Sequence, residues 1–355
     1  MRSSLFFALS IAILFVSINS VSAQLATGWK AHDLQRPQAK LVTPADKVGG
    51  APSDAIVLFS EGGDLSKWRA ASGGEAKWKI VDGAMESVPR SGFIVSKEEF
   101  GDCQVHVEFA SPKTVKGNGQ GRGNSGVFLM GEFEVQVLDS FENKTYVDGS
   151  AGSIYGQHPP LVNASRGPGE WQSYDIIFRR PRFNEAGELT SAARITVLHN
   201  GVLIQNNSEA FGPTNWIRHK EYKTMLRKGK ARTKGPLSFQ DHGNPVRYRN
   251  VWVRPLIENP PQPKTAYDPT TIELDIESAK KLVGKYGNRR VELVDGKLIY
   301  VFNSIRLDMV AKSKTEFSFS KTAGWAKFEI DDSGEAISME SSLDAAGKQK
   351  ADREK

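Results

Sequence analysis

The clearest pattern along the chain is alternation. Val105, Val107 and Phe109 alternate with other residues, as do Ser125, Val127 and Leu129, and then Phe133, Val135 and Val137. Successive side chains of a strand point to opposite faces of a sheet, so each run predicts a strand with one face in a core. Residues 55–59, 78–81, 174–178, 195–198, 202–204, 237–240 and 248–253 read as further strands. Between two of them lies His199-Asn200-Gly201, and Asn-Gly between apolar runs predicts a tight hairpin because both residues tolerate positive φ. Many short strands with no long amphipathic helix predict an all-β antiparallel sandwich.

The same pattern divides the chain. Residues 1–23 carry Arg2, an apolar run over 5–16 and Val21-Ser22-Ala23, which together predict a secretory signal peptide. That run is short for a bilayer span of about 20 residues, and no later segment is apolar enough to be one, so the expectation is an exported chain, periplasmic or extracellular. Residues 24–53 lack periodicity and read as a linker or surface arm, and 54–257 hold the main domain. The Pro-rich stretch 258–269 reads as a stiff linker. A small β module over 270–342 follows, opening with one helix at 272–283, and the charged residues 343–355 read as a disordered tail.

Composition narrows the function. One cysteine, Cys103, excludes an intramolecular disulfide, and the net charge of +6 is modest. Much of that charge lies in residues 218–234, which are opposed only by Glu221 and carry few aromatics, so a solvated loop is expected there rather than a nucleic-acid surface. Gly121-Arg122-Gly123-Asn124-Ser125-Gly126 fits G-x-G-x-x-G, but a strand-period run follows it instead of a helix, which excludes dinucleotide binding. Neither H-E-x-x-H nor G-x-S-x-G occurs.

The candidate chemistry lies in what alternates with the core residues. If Phe133, Val135 and Val137 point inward, Glu132, Glu134 and Gln136 share the other face. The same reasoning puts Asn124 with Gly126 and Phe128, and Gln240 with His242, on outward faces. Carboxylate, amide and imidazole groups, with Trp171 ahead of another strand, suit a carbohydrate surface of planar hydrogen-bonding groups and an aromatic platform. Glu134, Asp139 and His242 leave room for a divalent cation, although no cofactor is required.

Several blocks are familiar. Asn124 to Leu129, Glu132 to Ser140, Gly152-Ser153-Ile154-Tyr155-Gly156-Gln157, Pro168 to Asp175 and Gly235 to Gly243 resemble, in order, the 3-keto-disaccharide hydrolase domain family. The resemblance covers about residues 55–256. It implies a two-sheet concanavalin A-like jelly roll, followed here by the small C-terminal β domain, and cleavage of glycosides already oxidised at C3. A C3 ketone acidifies the C2 hydrogen, so a base can remove it, the C1 substituent can leave, and water can then add. Such a site needs a base, donors for the enolate oxygen and an acid for the leaving group.

Mapped onto this chain, Glu134 or His242 is the expected base. Asn124, Gln136 and Gln240 are expected donors, Tyr155 and Gln157 close the cleft, and Glu132, Asp139 and Trp171 complete the substrate-binding set. Two other functions fit the same residues. One is an ordinary glycosidase using Glu132 and Glu134, about 7 Å apart on one strand face. The other is a non-catalytic carbohydrate-binding module, since this fold hosts both.

Overall fold

The computed structural model describes His32 and residues 38–217, 219–256, 271–343 and 347–354. The expected signal peptide and the Pro-rich linker lie outside the described residues. The chain forms two compact units, one spanning Lys40–Glu258 and the other holding Asn259–Lys355.

The larger unit is a jelly-roll sandwich of antiparallel sheets. Its eight-stranded sheet runs Val202–Glu209, Arg194–His199, Gln172–Arg179, Cys103–Ala110, Arg247–Pro255, Ala84–Glu86 and Lys79–Val81, with Ile56–Phe59 paired to Arg247–Pro255. The facing five-stranded sheet runs Trp68–Ala70, Ile94–Phe100, Gly235–Phe239, Ser125–Leu129 and Phe133–Val137. Alternation does the sorting: Val105, Val107, Phe109, Tyr174 and Ile176 meet Val127, Phe133, Val135 and Phe239 in one buried cluster. Each such side chain contributes roughly 1.5–3 kcal/mol by leaving water. The Asn200-Gly201 hairpin forms as expected, with φ of 52° and 80°.

An aromatic stack joins the sheets beneath the outward face of the smaller one. Phe239 lies 4.2 Å from Tyr248 at 7° and 5.0 Å from Trp68. The Tyr248 hydroxyl donates to Ser125 Oγ at 2.6 Å, and Ser125 Oγ donates to the Gln240 carbonyl at 2.5 Å. These bonds hold Gln240 against Gly126, whose carbonyl accepts from the Gln240 N–H at 3.1 Å.

Residues 219–234 hold more structure than a solvated loop. Tyr222 and Met225 are buried, and the Tyr222 hydroxyl donates to Ala210 O at 2.6 Å while accepting from Ala193 N at 2.8 Å. Leu226–Arg227 then pairs with Lys230–Ala231, leaving the Lys and Arg side chains toward solvent.

The second unit opens with a helix, Ile276–Leu282, N-capped by Asp275, whose carboxylate accepts from Ser278 N at 2.8 Å. Eight antiparallel strands follow in meander order around Tyr286, Tyr300, Phe317, Phe319 and Phe328. A bridge between Tyr286 and Arg353 brings the last strand back to the first, which makes the unit barrel-like. That last strand, Gln349–Asp352, falls where the sequence reading expects a disordered tail. The polar run is stabilised by its partner strand and by ion pairs such as Lys350–Glu329 at 2.7 Å and Arg353–Glu335 at 2.8 Å. No helix among the described residues is long and apolar enough to cross a membrane.

Candidate functional site

The register of Ser125–Leu129 against Phe133–Val137 builds the floor of the site, setting Phe128 opposite Glu134 and Gly126 opposite Gln136. Since Val127 and Val135 face the core, Phe128, Glu134 and Gln136 face outward. A cavity of about 230 Å³ opens over them, lined also by Phe93, Asn124, Tyr155, Thr214, Asn215, Trp216, Gln240 and His242.

Two loops raise its walls. Residues 152–155 run along Phe133–Val137 as an irregular extra edge, with Gly152 N–H donating to Gln136 O at 2.8 Å and Tyr155 N–H to Glu134 O at 3.3 Å. This delivers Tyr155 to the rim, where its hydroxyl lies 2.8 Å from that of Tyr146. The opposite wall is the loop bearing Thr214, Asn215 and Trp216. Thr214 N–H donates to Glu132 O at 2.7 Å, and Thr214 Oγ1 accepts from Glu134 N at 2.9 Å.

Glu134 is the one carboxyl side chain lining this cavity among the described residues, and it is only 4% exposed. Burial alone pushes its pKa up to about 8, because the charged form loses water without gaining a cation. Gly126 makes the room: a Cβ there would sit 2.4 Å from Glu134 Oε1. The Tyr155 phenol is likewise raised, first by burial, then by the Tyr146 hydroxyl and the nearby Glu134, so it stays protonated and able to donate.

The amides are anchored by Gln120, which stands behind the wall. Gln136 Nε2 donates to Gln120 Oε1 at 3.0 Å, and Asn124 Nδ2 donates to Gln120 O at 2.8 Å. Gln120 Nε2 in turn donates to Gly149 O at 2.9 Å and Thr145 Oγ1 at 3.0 Å. Gln136 Oε1 and Gln240 Oε1 are buried without a protein partner. Gln136 and Asn124 thus each spend an amide hydrogen on Gln120, and Gln136 also offers an unpaired acceptor, which the donor role expected for it does not include.

Residues 54–254 match the model of the 3-keto-alpha-glucoside-1,2-lyase-like domain. The chain belongs to that family. Among solved structures, a candidate glycosyl hydrolase from Parabacteroides distasonis is 44% identical with a TM-score of 0.57, over 63% of this chain and 94% of its own. Two further candidate glycosyl hydrolases from the same organism are 20% and 19% identical, with TM-scores of 0.41 and 0.39, covering 61% and 57% of this chain and 100% and 99% of theirs. No curated protein matches the chain.

Within this 3-keto-alpha-glucoside-1,2-lyase-like domain, the structure brings together Glu134, His242, Asn124, Gln136, Gln240 and Tyr155 from the sequence-predicted set. His242 stands exposed at the rim, on a loop held by Asp241, which accepts from Gly92 N at 3.0 Å and Gly243 N at 2.8 Å.

Four expected residues lie elsewhere. Glu132 leaves the face because the strand ends at Leu129 and the turn through Met130, at φ 54°, breaks the alternation; it sits 3.3 Å from Arg232 instead. Asp139 is buried against Arg122 at 2.7 Å and lines a different cavity, so Glu134, Asp139 and His242 do not converge on an ion. No trio of His, Cys, Asp or Glu among the described residues is placed to hold a metal. Trp171 packs under Arg249, whose guanidinium lies 4.1 Å from its ring, and lines a cavity on the larger sheet.

Gln157 supports the wall rather than lining it: its Nε2 donates to Gly212 O at 3.1 Å and its Oε1 accepts from Phe211 N at 2.7 Å. The sequence reading missed Gln120, Thr214, Asn215 and Trp216. All four lie in non-periodic segments, where alternation carries no information about facing.

Proposed function

We propose that the protein cleaves 3-keto-glycosides by elimination, with Glu134 as the base. The observation that carries this reading is a lone carboxyl, lifted to about 8, at the bottom of a small polar cavity. At about 230 Å³ the cavity is smaller than the roughly 300–1,000 Å³ typical for drug-sized ligands, which suits one sugar ring. Membership in a family named for 3-keto-alpha-glucoside 1,2-lyases supports the same chemistry, as does the glycosyl hydrolase description of the 44% identical relative.

In the proposed reaction the Glu134 carboxylate takes the C2 proton, and the electron pair of that bond moves to the C3 oxygen as an enolate. The Tyr155 hydroxyl donates to that oxygen. Collapse of the enolate restores the ketone, forms the C1–C2 double bond and breaks the bond from C1 to the leaving oxygen, which takes a proton from His242 at the rim. Addition of water across the double bond completes net hydrolysis. A base of raised pKa suits a weakly acidic carbon, since proton-transfer driving force grows with basicity. The two-carboxylate alternative loses its second group, because Glu132 lies in the turn outside the cavity. Export, expected from residues 1–23, would put this reaction in the periplasm or outside the cell.

The test is incubation with a 3-keto-disaccharide and with its unoxidised parent. Cleavage confined to the keto substrate is expected, and equal cleavage of both overturns the elimination step. For the keto substrate, kcat/KM is expected to fall as pH drops below about 8, because only ionised Glu134 accepts the proton. A profile flat from pH 6 to 9 removes Glu134 as the base.

The aromatic platform is assigned to Trp216, which lines the cavity and is 79% exposed. Trp216→Ala is expected to raise KM about tenfold, the scale of one aromatic contact of about 1.4 kcal/mol. Trp171→Ala is expected to leave KM within twofold, and the two steady-state measurements together check which tryptophan meets the sugar.

A further inference from the structure

Resting on that reading, we infer that Gln120 sets the hydrogen-bond polarity of the sugar site, locking Gln136 so that its amide oxygen faces the cavity and selects a sugar hydroxyl. One atom allows no alternative. A backbone carbonyl only accepts, so the Gln120 side-chain atom 2.9 Å from Gly149 O is the nitrogen. Its second hydrogen reaches Thr145 Oγ1 at 3.0 Å. Gln120 Oε1 must then face Gln136, at 3.0 Å, and Gln136 answers with Nε2.

Asn124 reinforces the same orientation. Its Nδ2 donates to Gln120 O at 2.8 Å and approaches Gln120 Oε1 at 3.4 Å. Gln136 lines the cavity and is 1% exposed, and its Oε1 is buried with no protein partner. A buried acceptor without a donor is costly. A hydroxyl can supply that donor, whereas a ketone or ring oxygen cannot.

The consequence is directional. The oxidised ring presents a hydroxyl to Gln136, and its ketone turns to the wall where the raised Tyr155 phenol donates. Gln120 does not line the cavity and acts only through Gln136 and Asn124, so it is a positioning residue.

The test compares wild type with Gln120→Leu on a 3-keto-glucoside and its 2-, 4- and 6-deoxy analogues, measuring kcat/KM. In wild type one analogue is expected to lose about 10- to 100-fold, the scale of one unpaired buried acceptor. In Gln120→Leu the parent is expected to fall by a similar factor, so that its advantage over that analogue shrinks below about threefold. Equal loss on every substrate, with the advantage intact, is the outcome of a merely structural role and overturns the inference.

A second readout needs no turnover. The side-chain amide protons of Gln136, assigned by their absence in Gln136→Leu, are expected to exchange with solvent at least tenfold faster in Gln120→Leu, and unchanged exchange overturns the lock. If wild type cleaves no keto substrate, the elimination reading fails, while amide exchange still decides whether Gln120 holds Gln136.

Discussion

Glu134→Gln is expected to lower kcat on a 3-keto-glycoside by about 10³-fold, within the range that a positioned base contributes, and at the same time to stabilise the folded protein at alkaline pH. The two effects share one cause. A pKa of about 8 in the folded state against about 4.5 in the unfolded chain means that the folded state binds the Glu134 proton more tightly. Below about pH 4.5 the carboxyl is neutral in both states and the substitution changes little. Between 4.5 and 8 the unfolded chain ionises while the folded protein stays neutral, so wild-type stability falls by up to about 1.4 kcal/mol per pH unit. Above 8 both states are ionised and the deficit stays constant.

Glutamine does not titrate, so the Tm difference between Glu134→Gln and wild type should widen from pH 4.5 to 8 and then hold. Thermal unfolding across that range checks it. A Tm difference independent of pH would mean that Glu134 is not the buried, raised carboxyl described here. Retained turnover with the widening Tm gap would leave the burial intact and move the base elsewhere, with His242 the next candidate. On the proposed reading function and stability oppose each other at this residue, because the anion that would accept the proton is the form the fold disfavours. Such opposition is characteristic of residues tuned for acid–base work.

The legible part of this site was the part built on strands. Glu134, Gln136 and Gln240 follow from alternation alone, because a strand that commits Val135 and Phe239 to the core has no freedom in where it sends their neighbours. Glu132 shows the limit of that rule. It lies two residues before Glu134, but Met130 takes a positive φ and the chain is turning, so the phase is lost before the strand begins. Gln120 and Trp216 were illegible for a different reason. Their positions depend on bonds from distant residues, Gln120 to Gly149 and the Trp216 loop through Gln157 to Gly212, and no local period encodes those partners. The last strand, Gln349–Asp352, escaped notice because its polar sequence makes a strand only in company with Ala336–Ser342. Asp139 and Trp171 carried suitable chemistry, but their ion pair and cation–π contact tie them to Arg122 and Arg249 away from the cavity.

Gly126→Ala should lower turnover by about 10²-fold, less than loss of the carboxyl, with the folded state largely kept. The new methyl would lie 2.4 Å from Glu134 Oε1 and 2.9 Å from Phe128 Cε2, both closer than side chains approach, and a tight 3.1 Å from Glu134 Cδ. Gly126 sits inside a strand without a positive φ, so alanine meets no backbone strain and the cost is overpacking, typically about 1–3 kcal/mol. The cheapest relief is rotation of the Glu134 carboxyl away from the floor. A displacement of about 1 Å in a reacting group is enough to cost about 10²-fold, so kcat should fall by about that factor while circular dichroism stays that of the wild type. Gly121→Ala supplies the comparison: a Cβ there meets nothing within 4 Å, and kcat should stay within twofold. Turnover of Gly126→Ala at the wild-type rate would count against the proposed role of Glu134, because a base held for C2 deprotonation does not tolerate displacement. On the proposed reading the glycine supplies the space in which the base is aimed.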